Sequence, residues 1–245
     1  MKNTIFYLLI LVGAGMGTAL ALPDVYYCFD DLDDPVIARD LGDAGLNMKI
    51  IKNSHISDKD PRFGEGCLLL EKSVNAATAG FYSTLSRSPE FSPETNHLTI
   101  SIWLSLVDDD PFPIFGRGSF EENKVGRFML RIDGGQRLVF SVGKTDLRST
   151  KLSLPSHGEW FHVAVTFSEG EVSFYFNGEL VNSEVLDVSE IFEVSGGGAI
   201  SLGLNGREGV RFDDVAFIGS EALDSEEIQK IYKIGLKQYI SSKKP

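Results

Sequence analysis

An alternation of apolar and polar residues with a period of two restricts most of this chain to β structure. The segment Leu98–Leu104 carries an aliphatic residue at every second position, and the segments 161–167 and 172–176 repeat this spacing. Successive side chains of a β-strand point to opposite faces of a sheet, so each segment is predicted to bury one face. The dominant secondary structure is therefore predicted to be the β-strand.

The turns between these segments indicate that the strands pair as antiparallel hairpins. Asn177-Gly178 follows the segment 172–176, and this dipeptide favours a type I′ turn, in which both central residues have positive φ. More than ten short strands interrupted by Gly, Asp, Asn and Pro predict two packed antiparallel sheets. Further strands are predicted at 25–30, 46–51, 66–70, 79–84, 113–116, 127–132, 137–142, 179–181, 199–204 and 211–218.

The last part of the chain follows a helical period instead. Isoleucine recurs at every third position over the range 228–234, and Leu236 extends the apolar stripe. Asp224 precedes this stripe, and Glu227 stands three residues later, which is the spacing of a capping box. The sequence therefore predicts a short C-terminal helix that lies against the sandwich.

The first 21 residues have the form of a secretory signal peptide. Lys2 supplies the charge, Ile5–Val12 is apolar, and Ala19 and Ala21 are small residues at the positions that a signal peptidase reads. Cleavage after Ala21 would leave a single domain over 22–242 with no membrane span, because the apolar run is shorter than the ~20 residues that cross a bilayer. We expect a secreted, periplasmic or cell-surface protein, and an uncleaved membrane anchor is the alternative.

The balance of charge excludes some classes of partner. The chain has 35 acidic and 23 basic residues, which gives a formal net charge of −12. Nucleic acids and anionic membrane surfaces require a basic face. We therefore predict that the protein does not bind nucleic acid.

The chain contains two cysteines, Cys28 and Cys67. An even cysteine count in an exported protein favours a disulfide, because the compartments outside the cytosol are oxidising. The sequence therefore predicts a bond between Cys28 and Cys67, and two buried free thiols on neighbouring strands are the alternative.

Several motifs, in their order along the chain, resemble the concanavalin A-like lectins and glucanases, and within them the laminin-G-like (LamG-like, pentraxin-like) domains. The resemblance implies an all-β, two-sheet antiparallel jelly-roll sandwich with a short C-terminal helix. The motifs that carry it span nearly all of the domain, at Tyr26–Asp30, Phe63–Leu69, Leu98–Trp103, Gly158–Phe167, Phe174–Glu179, Phe212–Phe217 and Ala222–Ile228.

The resemblance also implies a structural calcium ion. Members of this superfamily often join the first strand to the last through an ion held by carboxylate and carbonyl oxygens, the ligands that calcium prefers. Asp30 and Asp213 match these positions. Alternation predicts that Asp31 and Asp214 point to the opposite faces from their neighbours, so each pair offers one ligand. The alternative is that these aspartates cap turns or remain solvated.

One motif of the superfamily is missing from the sequence. The glucanase branch carries a Glu-x-Asp-x-(x)-Glu run on one strand, which places an acid and a second carboxylate beside the same cleft. No such run occurs here, and the four histidines, including His162 on a predicted strand, show no catalytic spacing. We therefore predict that the protein is not an enzyme.

Aromatic residues give only weak indications of a ligand site. Trp103 and Trp160 lie in predicted strands and are interpreted as packing residues. Phenylalanines at 112, 115 and 120 lie in a Pro/Gly-rich region with Arg117, where a binding rim is an alternative to core packing. The ligand-binding residues therefore stay unassigned.

These observations together predict a secreted, non-catalytic LamG-like binding module that recognises a glycan or an extracellular protein surface. Glycan binding follows from the resemblance and not from an identified site, because one fold hosts many functions. Two alternatives stay open, namely a structural or adhesive component of an extracellular assembly, and a divergent glycan hydrolase on the same fold. A large exposed apolar patch would favour the assembly component.

Overall fold

The protein is described from a computed structural model. It describes residues 23–34, 36–50, 54–71, 97–117, 128–142, 145–186, 200–203, 207–219 and 221–243, so the predicted signal peptide and the predicted strand at 79–84 lie outside it. The strands are β1 (Val25–Tyr27), β2 (Ile37–Ala38), β3 (Met48–Lys49), β4 (Ser54–Ser57), β5 (Cys67–Leu70), β6 (His97–Ser105), β7 (Phe112–Arg117), β8 (Phe128–Ile132), β9 (Leu138–Val142), β10 (Thr145–Arg148), β11 (Trp160–Ser168), β12 (Glu171–Phe176), β13 (Glu179–Val185), β14 (Ile200–Leu202) and β15 (Arg211–Ile218). The helices are α1 (Ser225–Ile234) and α2 (Leu236–Lys243).

These strands form two antiparallel sheets that pack face to face. The large sheet has the order β13-β12-β11-β6-β15-β5-β4, with β1 also paired to β15, and the small sheet has the order β10-β9-β8-β7-β14. A separate pair is formed by β2 and β3. The predicted all-β antiparallel jelly-roll sandwich with a short C-terminal helix is therefore confirmed.

Strands β2, β4 and β10 were not predicted from the sequence. Strand β2 has only two residues, and β10 buries only Leu147 of its four side chains. Segments this short or this polar do not show a period of two. Their conformation is set by pairing with β3, β5 and β9 respectively.

The core between the sheets is built from the inward half of each alternating strand. Leu98, Ile100, Ile102 and Leu104 of β6 are fully buried in it, as their spacing predicts. Strand β11 pairs with β6 along its whole length, from Trp160 opposite Ser105 to Ser168 opposite His97. This long ladder forms the middle of the large sheet.

The two helices cover the outer face of the large sheet. Ile228, Ile231 and Leu236 are buried there in a second apolar cluster. The predicted capping box is present, since the Asp224 side chain accepts from the Glu227 backbone N–H at 2.9 Å and the Glu227 carboxylate accepts from the Asp224 N–H at 3.2 Å. Two shorter helices, separated at Gly235, replace the single predicted helix.

The predicted turn at Asn177-Gly178 is confirmed, because both residues have positive φ, 50° and 80°. The turn also meets α1, and a Cβ atom on Gly178 would lie 2.8 Å from the Cβ atom of Tyr232. Gly158 has a similar φ of 86°, but it has open space at the corresponding position. Substitution of each glycine therefore distinguishes the effect of backbone strain alone from that of strain combined with a steric clash.

We expect Gly178→Ala to destabilise the protein more than Gly158→Ala. Both substitutions place an alanine in the left-handed conformation, which destabilises by ~1 to 2 kcal/mol. Only Gly178→Ala also causes a clash with α1, which adds about 1 to 3 kcal/mol. The free energy of unfolding in denaturant measures the difference. Equal losses in the two variants would show that the turn does not press against the helix.

Candidate functional site

Two adjacent aspartates of β15 are buried on the outer face of the large sheet. Phe212 and Val215 on either side of them point into the core, so Asp213 and Asp214 both point outward. This arrangement is a β-bulge, in which the pairing of β15 with β6 shifts register and Asp214 has a φ of 48°. The expectation that Asp213 and Asp214 point to opposite faces was therefore wrong.

The carboxylate of Asp213 holds the loop that precedes β5. Its Oδ2 atom accepts hydrogen bonds from the backbone N–H groups of Arg62 and Phe63, both at 2.9 Å. Its Oδ1 atom accepts from the N–H of Asp214 at 2.8 Å. All three donors are backbone groups, and Asp213 is fully buried.

The carboxylate of Asp214 joins the first strand to the second helix. Its Oδ1 atom accepts from the hydroxyl of Tyr26 in β1 at 2.6 Å, and its Oδ2 atom accepts from the N–H of Leu236 at the start of α2 at 2.8 Å. Asp213 and Asp214 therefore position three separate segments around one point of β15.

Burial changes the protonation of this pair. Burial, together with the negative charge of Asp214, raises the pKa of Asp213 to about 8 against the lowering effect of the backbone N–H donors. Burial raises the pKa of Asp214 as well, while the Tyr26 hydroxyl and the Leu236 N–H oppose the shift. Both carboxyl groups therefore hold a proton more tightly in the folded state than in the unfolded chain.

An aromatic stack lies beside this pair. The ring of Trp103 lies between the guanidinium of Arg62, 4.2 Å from its centroid, and the ring of Tyr232, whose centroid is 5.2 Å away and nearly parallel. Trp103 is 2% exposed, which confirms its interpretation as a packing residue. Trp160 is half-buried, and its Nε1 donates to the carbonyl of Asp60 at 3.0 Å.

His162 is part of the same packed region. It is fully buried, and its Nε2 lies 2.9 Å from the Ser101 hydroxyl. Burial lowers the pKa of His162 to about 3, so the imidazole is neutral near pH 7. His162 is therefore a packing residue of the outer face.

The proposed rim of phenylalanines is not formed at two of its positions. Phe112 and Phe115 belong to β7 and are buried in the core, 1% and 2% exposed. Phe120 and the side chain of Arg117 lie outside the described part of the chain. The core packing favoured by the sequence is therefore correct for Phe112 and Phe115, and the alternative of a binding rim is wrong at these two positions.

A cleft of about 500 Å³ opens next to the aspartate pair, between β1, the loop at 63–64 and α2. Its lining includes Phe63, Asp214 and Gln238. Asp30 and Lys237 also line it, and they form an ion pair with an O–N distance of 3.2 Å. We call this feature the α2 cleft.

The α2 cleft was missed by sequence reasoning except for Asp30. Phe63 and Lys237 lie on segments that are far apart in the sequence, and neither belongs to a local motif that indicates a site. One signal was present in the sequence, because two successive aspartates in an otherwise apolar strand break the alternation expected there. A buried polar pair of this kind indicates a fixed network.

The residues proposed as calcium ligands do not fit such a site in their present arrangement. All carboxylate contacts described for Asp213 are with backbone N–H donors, whereas calcium requires six to eight oxygen ligands. Asp30 accepts from the Glu65 N–H at 2.8 Å and pairs with Lys237. Among the described residues, no group of three or more His, Cys, Asp or Glu side chains could hold a metal ion. Calcium binding by Asp30 and Asp213 stays a prediction.

Both cysteines are free thiols in the structure, with Cys28 half-buried and Cys67 buried. Burial raises the pKa of each thiol to about 12, so both are protonated near pH 7 and react slowly with oxidants. The structure thus does not contain the Cys28–Cys67 disulfide, which stays a prediction for the exported protein.

Comparison with known families identifies the fold. Residues 78–229 match the family described as the concanavalin A-like lectin/glucanases superfamily. The chain belongs to this superfamily. The resemblance inferred from the sequence motifs is therefore confirmed. No curated protein matches the sequence. Within the described residues, no helix is long and apolar enough to cross a membrane.

Solved structures share this fold at low sequence identity. The botulinum neurotoxin type G receptor binding domain is 15% identical, covering 87% of this chain and 51% of its own length, with a TM-score of 0.61. A structure described as "Cell entry of botulinum neurotoxin type C is dependent upon interaction with two ganglioside molecules" is 15% identical, covering 85% and 50%, with a TM-score of 0.57. A Trypanosoma rangeli sialidase in complex with sialic acid is 12% identical, covering 85% and 32%, with a TM-score of 0.55. The chain thus spans about half the length of these two neurotoxin chains and about a third of the sialidase.

We expect the stability of the protein to fall as the pH rises from about 6.5 to about 8. The folded-state pKa of Asp213 is about 8, against an ordinary value of 3.8, so in this range the folded state holds a proton that the unfolded state has lost. The free energy of unfolding then falls by up to about 1.4 kcal/mol per pH unit. Below about pH 6.5 this slope is offset, because burial lowers the pKa of His162 from 6.5 to about 3 and only the unfolded state binds that proton. Denaturant midpoints measured between about pH 6.5 and about pH 8 check this slope.

Asp213→Asn should flatten this pH dependence, because the amide does not titrate. Some slope will remain, since Asp214 also has a raised pKa. Asp43→Asn removes an exposed carboxylate and should leave the slope of the natural protein unchanged. A slope that Asp213→Asn does not alter would show that Asp213 is ionised in the folded state throughout this range.

Proposed function

We propose that the protein is an exported lectin-like module that binds a glycan in the α2 cleft without chemical turnover. The observation that carries this proposal is the composition of the cleft, which Phe63 and Gln238 line together with the Asp30–Lys237 ion pair. Export after cleavage at Ala21, with a mature domain over 22–242, is supported by the sequence of the first 21 residues.

These side chains match the chemistry of a sugar. A sugar ring presents apolar C–H groups, which pack against an aromatic ring, and hydroxyl groups, which both donate and accept hydrogen bonds. The carboxylate of Asp30 accepts such bonds, the ammonium of Lys237 donates them, and the amide of Gln238 does both. The volume of about 500 Å³ is within the range of small-molecule sites.

The proposal of binding without turnover is supported by the state of the carboxyl groups. A glycoside hydrolase needs an acid and a second carboxylate that both face the substrate. In the α2 cleft, Asp214 accepts internal hydrogen bonds on both of its oxygens, and Asp30 is paired with Lys237. Asp214 therefore has a structural role that competes with contact to a substrate.

The structural neighbours give limited support for a glycan ligand. The description of the type C neurotoxin structure names ganglioside molecules as its binding partners, and the sialidase structure contains sialic acid. Both similarities are under 25% identity, so they show the fold, and the ligand class is part of the proposal. The sialidase also keeps the hydrolase alternative open.

A second candidate function is attachment to an extracellular protein or assembly. Four large apolar side chains near the β2–β3 pair are exposed by 37% to 53%, which is unusual for one short segment. They are Leu32, Val36, Ile37 and Leu41. This surface would favour a protein partner if no glycan binds.

The proposed function predicts retention on a glycan without release of sugar ends. The mature protein is passed over immobilised β-glucans, galactans, alginates and host-type glycans, and new reducing ends are measured in parallel. We expect retention on at least one polymer and no new reducing ends. Saturable release of reducing ends would establish the hydrolase instead, and absence of retention on every polymer would favour the protein partner.

Substitutions in the cleft test its location. Lys237→Ala should weaken binding about tenfold or more, because a hydrogen bond from a charged group contributes about 1.5 to 3 kcal/mol. The fold should tolerate this change, since the Lys237–Asp30 pair is largely exposed on the lysine side. Lys233→Ala removes an exposed lysine of α1 that does not line the cleft, and it should leave binding unchanged. An equal loss of glycan affinity in the two variants would show that the glycan binds outside the α2 cleft.

A further inference from the structure

A cluster of charged side chains lies on the outer face of the small sheet. In β8, Leu130 points into the core and the neighbouring Arg131 points outward. In β10, Leu147 points into the core, and Asp146 and Arg148 on either side of it point outward. The side chains of β8 and β10 alternate in direction, and this places two arginines and one aspartate together on the outer face.

Asp146 is the centre of this cluster. Its Oδ2 atom accepts from Nη2 of Arg131 at 2.8 Å and from Nη2 of Arg148 at 2.9 Å. Its Oδ1 atom accepts from the hydroxyl of Ser141 at 2.6 Å, and this hydroxyl also contacts Nη1 of Arg131. Both guanidinium groups therefore approach the same carboxylate oxygen and lie next to each other.

Both guanidinium groups of the cluster contact a single carboxylate, that of Asp146. Partial burial by itself raises the pKa of Asp146, but the hydrogen bonds from Arg131 and Ser141 lower it overall, so the carboxylate is ionised. The single negative charge of Asp146 therefore interacts with two guanidinium groups. The nearby Glu184 accepts from the backbone N–H of Arg148 at 3.3 Å, and no contact between its carboxylate and either guanidinium is described.

The arginines retain the capacity to bind a further anion. Each guanidinium has five N–H donors, and the described hydrogen bonds of Arg131 and Arg148 engage only their Nη atoms. The two side chains are 27% and 42% exposed. By contrast, Arg137 in the turn between β8 and β9 forms a closed pair, because Asp133 Oδ2 accepts from its Nε and its Nη2.

We propose that Arg131 and Arg148 bind the carboxylate of an acidic sugar residue in a glycan. A planar guanidinium matches a carboxylate through two parallel hydrogen bonds, and two adjacent guanidiniums held by Asp146 are already oriented for this contact. Fixing the side chains in advance reduces the entropy that binding costs. This site is on the sheet opposite the α2 cleft, so it deepens the proposed glycan binding without requiring that the cleft is occupied.

A sugar fits this surface better than a protein partner does. A stable protein interface buries about 800 Å² on each side around an apolar or aromatic centre. On the described part of this face, the apolar side chains of Met129 and Val139 are fully buried, whereas the charged side chains of Arg131, Asp146 and Arg148 reach the solvent, 27%, 33% and 42% exposed. A small anionic group on a polar ligand therefore matches what is exposed.

The test uses oligogalacturonate and oligomers of sialic acid as probes, each compared with the same oligomer after methyl esterification of its carboxylates. We expect the natural protein to bind at least one acidic oligomer at least tenfold more tightly than its ester in calorimetric titration. Binding should also weaken with added salt. Equal affinity for acid and ester would overturn the proposal.

Variants assign the effect to the pair. Arg131→Gln and Arg148→Gln should each weaken binding of the acidic oligomer about tenfold or more, while Arg137→Gln should have no effect. Arg148→Lys keeps the charge and loses the planar fork, so it should bind between the natural protein and Arg148→Gln. Thermal unfolding confirms that each variant is folded. No loss in either glutamine variant would overturn the proposal.

Two further measurements distinguish the arginine pair from the α2 cleft and a sugar ligand from a peptide. Arg131→Gln should lose more affinity for the acidic oligomer than Lys237→Ala does, and an equal or larger loss in Lys237→Ala would place the acid in the α2 cleft and overturn the assignment to the arginine pair. Polyglutamate of similar charge tests an acidic peptide as ligand. Binding of polyglutamate as tight as that of the sugar acid would overturn the choice of a sugar.

Discussion

Two adjacent buried carboxyl groups hold together segments of this protein that are far apart in the sequence. Asp213 accepts backbone N–H groups from the loop at 62–63, and Asp214 accepts the Tyr26 hydroxyl of β1 and the Leu236 N–H of α2. A buried carboxyl group without donors is strongly unfavourable, so each of these segments must be in place when β15 is buried. The network therefore makes the outer layer of the sandwich cooperative with its centre.

The same network explains why the α2 cleft has fixed walls. The N–H of Phe63 is held by Asp213 while its ring lines the cleft, and Leu236, held by Asp214, is followed directly by Lys237. The Trp103 ring stacks against the guanidinium of Arg62 and so holds the loop at 62–63. A site with walls held in this way loses little conformational freedom on binding, which leaves more of the contact energy for affinity.

How much the sequence predicted depended on whether the signal was local. The alternation in 98–104, the turn at Asn177-Gly178 and the cap at Asp224 are each contained in a few residues, and all three are confirmed. The direction of Asp214 was predicted wrongly, because the bulge depends on pairing of β15 with distant strands. Phe112 was ambiguous because composition does not show which face of a strand is covered. The α2 cleft joins distant segments and had no local signature.

The charged groups of the two outer faces differ in how completely their hydrogen-bonding capacity is used, and this difference separates structural from binding roles. The Asp213 carboxylate is buried and accepts three backbone donors, so it has little capacity for a ligand. On the small sheet, one carboxylate, that of Asp146, faces the donors of both Arg131 and Arg148 in partial contact with water. The guanidinium donors that have no partner within the protein are hydrated where they reach the solvent. An anion can replace this water and accept their hydrogen bonds. Asp213 has a structural role, because its hydrogen-bonding capacity is used within the protein. The arginine pair has N–H donors left for a ligand, which suits it to recognition.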